Sequence, residues 1–275
     1  MTRQLIGSIE ALWRYPVKSM LGEKLQDSAV TPHGLLGDRA YALLDVNSGK
    51  IASAKNPKKW AKLLDFQAAF TEPPQENEAI PPVKIVLPDG NSITNETPEA
   101  SKILSTSLEQ TVEILSSAPE AASLEQYWPL VEGTMHQDVV TQLFMPPGTF
   151  FDSCPIHVIT TATLARLQEL YPEGQFDPRR FRPNLVIEPS ADEIDFLEDD
   201  WVRGTLAIGN AVRLSIDTVC PRCVVITLAQ ADLPKDLDIL RTTARYNEVV
   251  AGIRTSVMQG GTIHCNDPIW LEKAA

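Results

Sequence analysis

Two thiols stand three residues apart in Asp217-Thr-Val-Cys-Pro-Arg-Cys-Val-Val-Ile-Thr-Leu228, with Arg222 beside Cys223. A Cys-x-x-Cys pair can be half of a zinc site, a redox dithiol, or the frame of a single thiolate. Structural zinc needs four ligands. His264-Cys265 does not supply the other two, because neighbours on a strand point to opposite faces, and Cys154 and His157 straddle Pro155 without a finger or ribbon pattern. A thioredoxin-like pair places its first Cys at a helix N-terminus, where the dipole lowers the pKa. Here Val224-Val-Ile-Thr-Leu228 is rich in β-branched residues and predicts a strand. Two readings stay open. Cys223 is a thiolate favoured by the adjacent guanidinium and suited to a soft metal, or Cys220 and Cys223 are two small buried hydrophobes.

Basic residues recur in turn-like settings: Pro16-Val-Lys-Ser19, Gly37-Asp-Arg39 and Asp177-Pro-Arg-Arg-Phe-Arg-Pro-Asn184. Arginine offers planar, bidentate contacts to phosphate, so these loops could line a pocket for a small anion. Each is equally readable as a solvated charge or a salt-bridge partner. The chain as a whole is acidic, with 24 Lys and Arg against 36 Asp and Glu and a net charge of −12. That balance excludes sequence-blind nucleic-acid binding, which rests on a basic face.

The elements that must carry these residues are mostly strands. Ile6–Tyr15 alternates and is closed by Pro16, and Arg39–Val46 leads into a turn at Asn47-Ser-Gly49. Val83–Leu87 and Asn91–Thr94 flank Pro88-Asp-Gly90, a hairpin signal because Gly accepts φ > 0. Thr97-Pro-Glu-Ala-Ser predicts a helix start, with the hydroxyl as N-cap and Pro at the first position. Thr71–Pro82, acidic and proline-rich, reads as a surface loop. Ile156–Ile159 predicts a strand, followed by a helix over 160–170 with Leu164, Leu167 and Leu170 at helical spacing. Leu185–Glu188, Thr205–Ile208 and Ala211–Ile216 predict strands, the last two joined at Gly209-Asn210.

The sum is a β-rich α+β protein, barrel-like, with a few short helices. The Ser116–Ser123 stretch marks a boundary, giving an N-terminal part over 1–122 and a second over 123–275. In 275 residues no apolar run approaches a membrane span of about 20 residues, and the N-terminus lacks a signal-peptide pattern. The expectation is a soluble, cytoplasmic protein without a membrane span, its thiols reduced.

Tyr15-Pro-Val-Lys-Ser19, Gly37-Asp-Arg-Ala-Tyr41, Phe181-Arg-Pro-Asn184 and Cys220-Pro-Arg-Cys223 occur in this order along the chain, with Met145-Pro-Pro-Gly-Thr-Phe-Phe-Asp152 between the second and third. Together they resemble MOSC-domain proteins that carry an N-terminal MOSC β-barrel domain. That family takes in the mitochondrial amidoxime reducing component and the C-terminal part of molybdenum cofactor sulfurases. The resemblance implies a MOSC β-barrel domain packed with an N-terminal MOSC β-barrel-like domain, and binding of molybdenum cofactor, a pterin dithiolene bearing a phosphate. Carried over, Cys223 is the metal ligand and catalytic centre. Lys18, Ser19, Arg39, Thr160, Thr161, Arg182, Asn184 and Arg222 hold the pterin and phosphate. The chain departs from the family pattern at His264-Cys-Asn266 and around Ile253-Arg254, where a tyrosine contact is expected.

The implied activity is a molybdenum oxidoreductase that reduces small N-hydroxylated substrates by cleaving N–O. The alternatives are sulfur transfer through a Cys223 persulfide, or a non-catalytic cofactor carrier. Plant-type iron–sulfur ligation needs a Cys-x₄-Cys-x₂-Cys run, which this chain lacks. Electrons are therefore expected from a separate reductase or ferredoxin-type partner.

Overall fold

The computed structural model describes residues 2–132 and 137–273. Eight strands form its largest sheet, numbered here in chain order: β1 (Thr2–Arg14), β2 (Glu23–Leu25), β3 (Ile156–Thr160), β4 (Leu185–Pro189), β5 (Thr205–Ile208), β6 (Val212–Pro221), β7 (Val250–Gln259) and β8 (Pro268–Lys273). Their order is β4-β3-β7-β6-β5-β8-β1-β2, and β1 also pairs with β4, which closes seven of them into a barrel with β2 attached to β1. Closure removes the exposed strand edges that an open sheet would present.

β1 is long because it serves two neighbours. Thr2–Ser8 pairs antiparallel with β8, while Gly7–Leu12 pairs with β4, and a register shift in each ladder bends the strand around the barrel. The first strand of the chain is thus built into the same barrel as its last. β3 and β4 run parallel and are joined by the Thr161–Leu170 helix; a parallel pair needs such a crossover.

Side chains alternate across the barrel wall. Val158, Leu185, Leu206, Leu214, Ile216 and Ile253 fill the interior. Ile159 and Val186 point outward, where Leu164, Leu167, Phe181, Ile226 and Ile239 cover them. This double coverage explains why all five residues of β3 are buried and why it reads as a continuous apolar run. A further core, with Val17, Met20, Leu43, Phe66, Ile85 and Leu104, lies under the sheets formed by residues 42–115.

Most expected elements are present. Val83–Val86 and Ser92–Thr94 form the hairpin, with Gly90 at φ +87°, and no regular element occupies residues 71–82. Three expectations are corrected. Val224–Thr227 is a single 3-10 turn, not a strand. The turn sends Val224 into a cluster with Ala54 and Leu64 and Ile226 into the cluster with Phe181 and Ile239, so tertiary burial overrides β propensity. The second helix starts at Ala100, with Glu99 as N-cap at φ +61°, not at Thr97. The Thr97 hydroxyl instead accepts from the Thr94 amide at 2.9 Å and closes the turn leaving the preceding strand. Finally, the strand expected from Arg39 begins at Ala42, since Arg39 has φ +49°.

Candidate functional site

A cavity of about 120 Å³ opens where the end of β1, the start of β3, the segment after the Pro178–Phe181 helix and the end of β6 converge. Its lining carries Lys18, Arg39, Lys55, Arg182, Arg222 and Arg254 against one carboxylate, Asp152. In a chain of net charge −12, this is a local reversal of sign. Three of the lining residues, Ser19, Arg39 and Arg182, have left-handed backbone at φ +65°, +49° and +54°. Non-glycine residues hold that conformation at a cost and concentrate at functional sites.

Lys18 is buried, and its Nζ donates to the Phe150 carbonyl at 2.7 Å and to Asp152 Oδ1 at 2.6 Å. Burial pulls its pKa down from the usual lysine value, with Asp152 acting in the other direction. Lys55 lies 3.3 Å from the other Asp152 oxygen. Burial works against the charge of Lys55, and Asp152 and Cys223 outweigh it, leaving the ammonium above its ordinary value. For Asp152, burial favours the neutral acid, but Lys18, Lys55 and Arg39 hold the carboxylate well below the usual range. Ser19 Oγ accepts from the Ala54 amide at 3.1 Å, which ties the loop after β1 to the segment carrying Lys55.

Two cations lie over the Tyr15 ring, Arg39 at 4.5 Å and Arg182 at 4.2 Å from its centroid. Burial pushes the phenol up to about 12 even with both guanidiniums lowering it. Arg39 pairs with Asp38, which also accepts from the Tyr15 amide at 2.8 Å and from Asn184 Nδ2 at 3.0 Å. Asn184 Oδ1 accepts from the His157 amide at 3.1 Å, so Asn184 acts as a brace between β1, β3 and the Asp38 turn. Arg182 donates from Nη1 to the Met20 carbonyl at 2.8 Å. Its pKa is pulled down to about 10 by burial and by Arg39.

The thiols complete the site. Cys154, Cys220 and Cys223 all line the cavity, and all four cysteines of the chain are free. Arg222 Nη1 donates to Cys220 Sγ at 3.1 Å and lies 3.2 Å from His157 Nε2, while Nη2 donates to the Phe181 carbonyl at 2.6 Å. Burial would raise the Cys220 thiol, yet Arg222 and His157 bring it well below its ordinary value. Cys154 shows the opposite outcome: burial, helped by Cys220, pushes it up to about 12. Cys223 is half-buried and caps the 3-10 turn in an extended conformation.

Of the residues singled out in the sequence, Lys18, Ser19, Arg39, Arg182, Asn184, Arg222 and Cys223 are brought together here. Thr160 and Thr161 are not. Thr160 is fully buried at the helix start, donating from Oγ1 to Glu198 Oε2 at 2.7 Å and accepting from the Thr163 amide at 3.0 Å. Thr161 Oγ1 donates to Glu188 Oε2 at 2.6 Å. Both hydroxyls are spent on carboxylates away from the cavity. The guanidinium of Arg222 meets Cys220, which corrects its expected pairing with Cys223. Sequence reasoning missed Lys55 and the electrostatic role of His157. It had met Arg254 only as a departure from the family pattern.

Three buried guanidinium nitrogens on the lining, Arg182 Nη2, Arg222 Nε and Arg254 Nε, have no hydrogen-bond partner among the described residues. Buried polar groups are almost always paired, so these donors fit an anionic ligand with several acceptor oxygens. The thiols add soft donors that suit a soft metal. Among the described residues, no group of three or more His, Cys, Asp and Glu side chains is arranged to hold a metal ion by protein ligands alone. Nor is any described helix long and apolar enough to cross a membrane.

Comparison with known proteins matches residues 147–270 to the MOSC domain and residues 6–72 to the MOSC N-terminal beta barrel domain. The chain is similar to mitochondrial amidoxime reducing component 2 of Homo sapiens, 24% identical over 300 residues covering 97% of this chain and 84% of that protein. It is also similar to human mitochondrial amidoxime-reducing component 1, 25% identical over 244 residues covering 82% and 67%. Among solved structures, the YUAD protein from Bacillus subtilis superposes with a TM-score of 0.51 at 10% identity, covering 100% of this chain and 99% of that one, a likeness of fold.

Proposed function

The chain belongs to the MOSC family, with both a MOSC domain and a MOSC N-terminal β-barrel domain, and from that premise we propose that it is a molybdenum-cofactor-dependent oxidoreductase acting on small N-hydroxylated compounds. The observation that carries this reading is the cavity itself: six cationic side chains and three unpaired guanidinium nitrogens surround three thiols. Relatives named as amidoxime reducing components add the substrate class.

Molybdenum cofactor, when bound, supplies two-electron chemistry that takes oxygen from nitrogen. Cys223 is assigned as the protein's ligand to the metal. It is half-buried at the cavity wall, whereas Cys220 is buried and its sulfur already accepts from Arg222. The unpaired nitrogens of Arg182, Arg222 and Arg254 would hold anionic oxygens, and Arg39 and Lys55 neutralise the charge brought in. Asn184 and Ser19 act by bracing the loops. Lys18 is committed to Asp152 and the Phe150 carbonyl, so it contributes to an anion site through its field or by exchanging partners. The four cysteines lack the spacing of a plant-type iron–sulfur centre, and a separate protein is assigned as electron donor. We also propose a division of the chain at residues 122 and 123, with β1 lent by the first part to the barrel.

The test is purification from a host that makes molybdenum cofactor, quantification of molybdenum and pterin, and an assay of amidoxime reduction with an artificial electron donor. Stoichiometric metal that is lost in Cys223→Ser and kept in Cys220→Ser supports the proposal. Metal-free protein bearing a persulfide on Cys223 overturns it in favour of sulfur transfer. Bound metal with no turnover of any N-oxygenated compound overturns the catalytic part and leaves a carrier.

A further inference from the structure

A second cavity, of about 240 Å³, lies against Trp13, Tyr15, Gln67, Arg179, Arg182 and Gln230. Its polar groups are unusual in lacking partners. Nine buried side-chain nitrogens and oxygens have none among the described residues, and five of them belong to this lining: Trp13 Nε1, the Tyr15 hydroxyl, Arg182 Nη2 and both Gln230 amide atoms. Leaving a buried donor or acceptor unpaired costs about 1–3 kcal/mol each, so such a concentration points to a missing occupant.

Gln230 and Tyr15 are each only 2% exposed. The glutamine backbone is clamped by a reciprocal pair of bonds with Leu233, at 3.0 and 2.9 Å, which fixes the place from which its side chain extends. A carboxamide offers a donor and an acceptor side by side. Its complement is a hydrogen-bond donor beside an acceptor, as in the N–H and C=O that form the lactam edge of a flat heterocycle. Trp13 supplies aromatic surface, and Trp13 Nε1 and the Tyr15 hydroxyl supply two more hydrogen-bonding groups for ring atoms. No carboxylate lines the cavity, so nothing there favours a cation. The volume lies below the roughly 300–1,000 Å³ of common small-molecule pockets, which limits the occupant to one or two rings.

We propose that this cavity is a second small-molecule site, for a one- or two-ring heterocycle whose lactam edge is read by the Gln230 amide. It rests on the unpaired atoms of Trp13, Tyr15 and Gln230, none of which lines the first cavity, and not on what that cavity holds. Arg182 lines both cavities, so the same lactam chemistry has two sources: a free nucleobase or pterin, or the pterin of a cofactor reaching past Arg182.

Calorimetric titration of the purified chain with pterin, hypoxanthine and uracil tests this, with quinoxaline, a flat two-ring heterocycle that has no N–H, as the control. The lactam compounds bind and quinoxaline does not. Gln230→Leu, which keeps the bulk and removes both polar atoms, weakens binding roughly tenfold or more. Trp13→Phe, which removes one donor, weakens it about threefold and keeps the test open if Gln230→Leu fails to fold. The titration reads heterocycle binding directly and needs no molybdenum, so failure of the metal reading does not touch this one. Binding to cofactor-loaded and cofactor-free protein alike identifies a free heterocycle as occupant, and binding to the cofactor-free form alone identifies the cofactor's pterin. The proposal is overturned if no lactam binds the folded wild type at millimolar concentration, which leaves a water-filled cavity. It is equally overturned if quinoxaline binds as well, or if both variants bind like wild type.

Discussion

Arg222 Nη1 donates to Cys220 Sγ at 3.1 Å, and the same nitrogen lies 3.2 Å from Nε2 of His157. A guanidinium two residues along the chain is thereby aimed at the buried thiol and not at the half-buried one. Cys154, in the same cavity, has only weaker help from Arg254, Arg39 and the Ser153 side chain, and burial keeps it protonated. Two thiols in one cavity are therefore driven to opposite states by local charge.

Cys220 titrates below its ordinary value of 9.0. Arg222→Leu is expected to raise it, because burial is then opposed by fewer positive charges; ultraviolet thiolate absorbance in a Cys154→Ala, Cys223→Ala background reads the shift. The sign for stability follows from linkage. A depressed acid contributes stability that is complete above the unfolded value and lost as pH falls through the folded one. The stability gap between this background and its Cys220→Ala derivative should therefore widen as pH rises toward 9.0, and a gap that narrows contradicts the assignment.

Asp152 bridges Lys18 and Lys55. Asp152→Asn leaves two ammonium groups facing each other, but the carboxylate is 38% exposed and water screens it. The expected loss is about 1 kcal/mol, below the roughly 3–5 kcal/mol for breaking a fully buried pair. Since its folded pKa is depressed, its stabilisation is present above 3.8 and fades as pH falls further. Acid denaturation curves should show the variant losing less than wild type in that limb, and phosphate should bind the variant more tightly.

Thr160→Val removes a hydroxyl that donates to Glu198 and caps the Thr161–Leu170 helix. Chemical denaturation should show a loss of about 1–3 kcal/mol. Cofactor content of the folded fraction should match wild type; a selective loss of cofactor would return Thr160 to the binding site.

Gly252 has φ +85°, and a Cβ there would lie 2.5 Å from both His157 Nε2 and the Val158 carbonyl oxygen. Gly252→Ala should cost about 1–3 kcal/mol in strain and push the imidazole off Arg222. Thiolate titration of Cys220 in this variant should move upward along with the fall in stability, whereas a stability loss with unchanged titration would separate the glycine from the site.

Much of the fold is legible along the chain because strands announce themselves locally. Val83–Val86 and Ser92–Thr94 carry their turn between them, and the helix after β3 carries its own N-cap in Thr160. Val224–Thr227 carries every mark of a strand and folds as a 3-10 turn, because the clusters that bury Val224 and Ile226 are made by residues distant in sequence. Lys55 and Arg254 have no local pattern that marks them as site residues, and neither does the unpaired amide of Gln230.

By itself the sequence determined the β-rich class, the Cys-x-x-Cys loop and the basic turns at Lys18, Arg39 and Arg182, since residue type, short spacing and turn chemistry are local properties. Only the tertiary structure decided that β1 closes the barrel against β4, that Thr160 serves Glu198, and that Arg222 serves Cys220. The physical reason is common to all three. Which charge neutralises which partner, and which edge meets which strand, depends on distances between segments far apart in the chain, and those distances exist only after the core has closed.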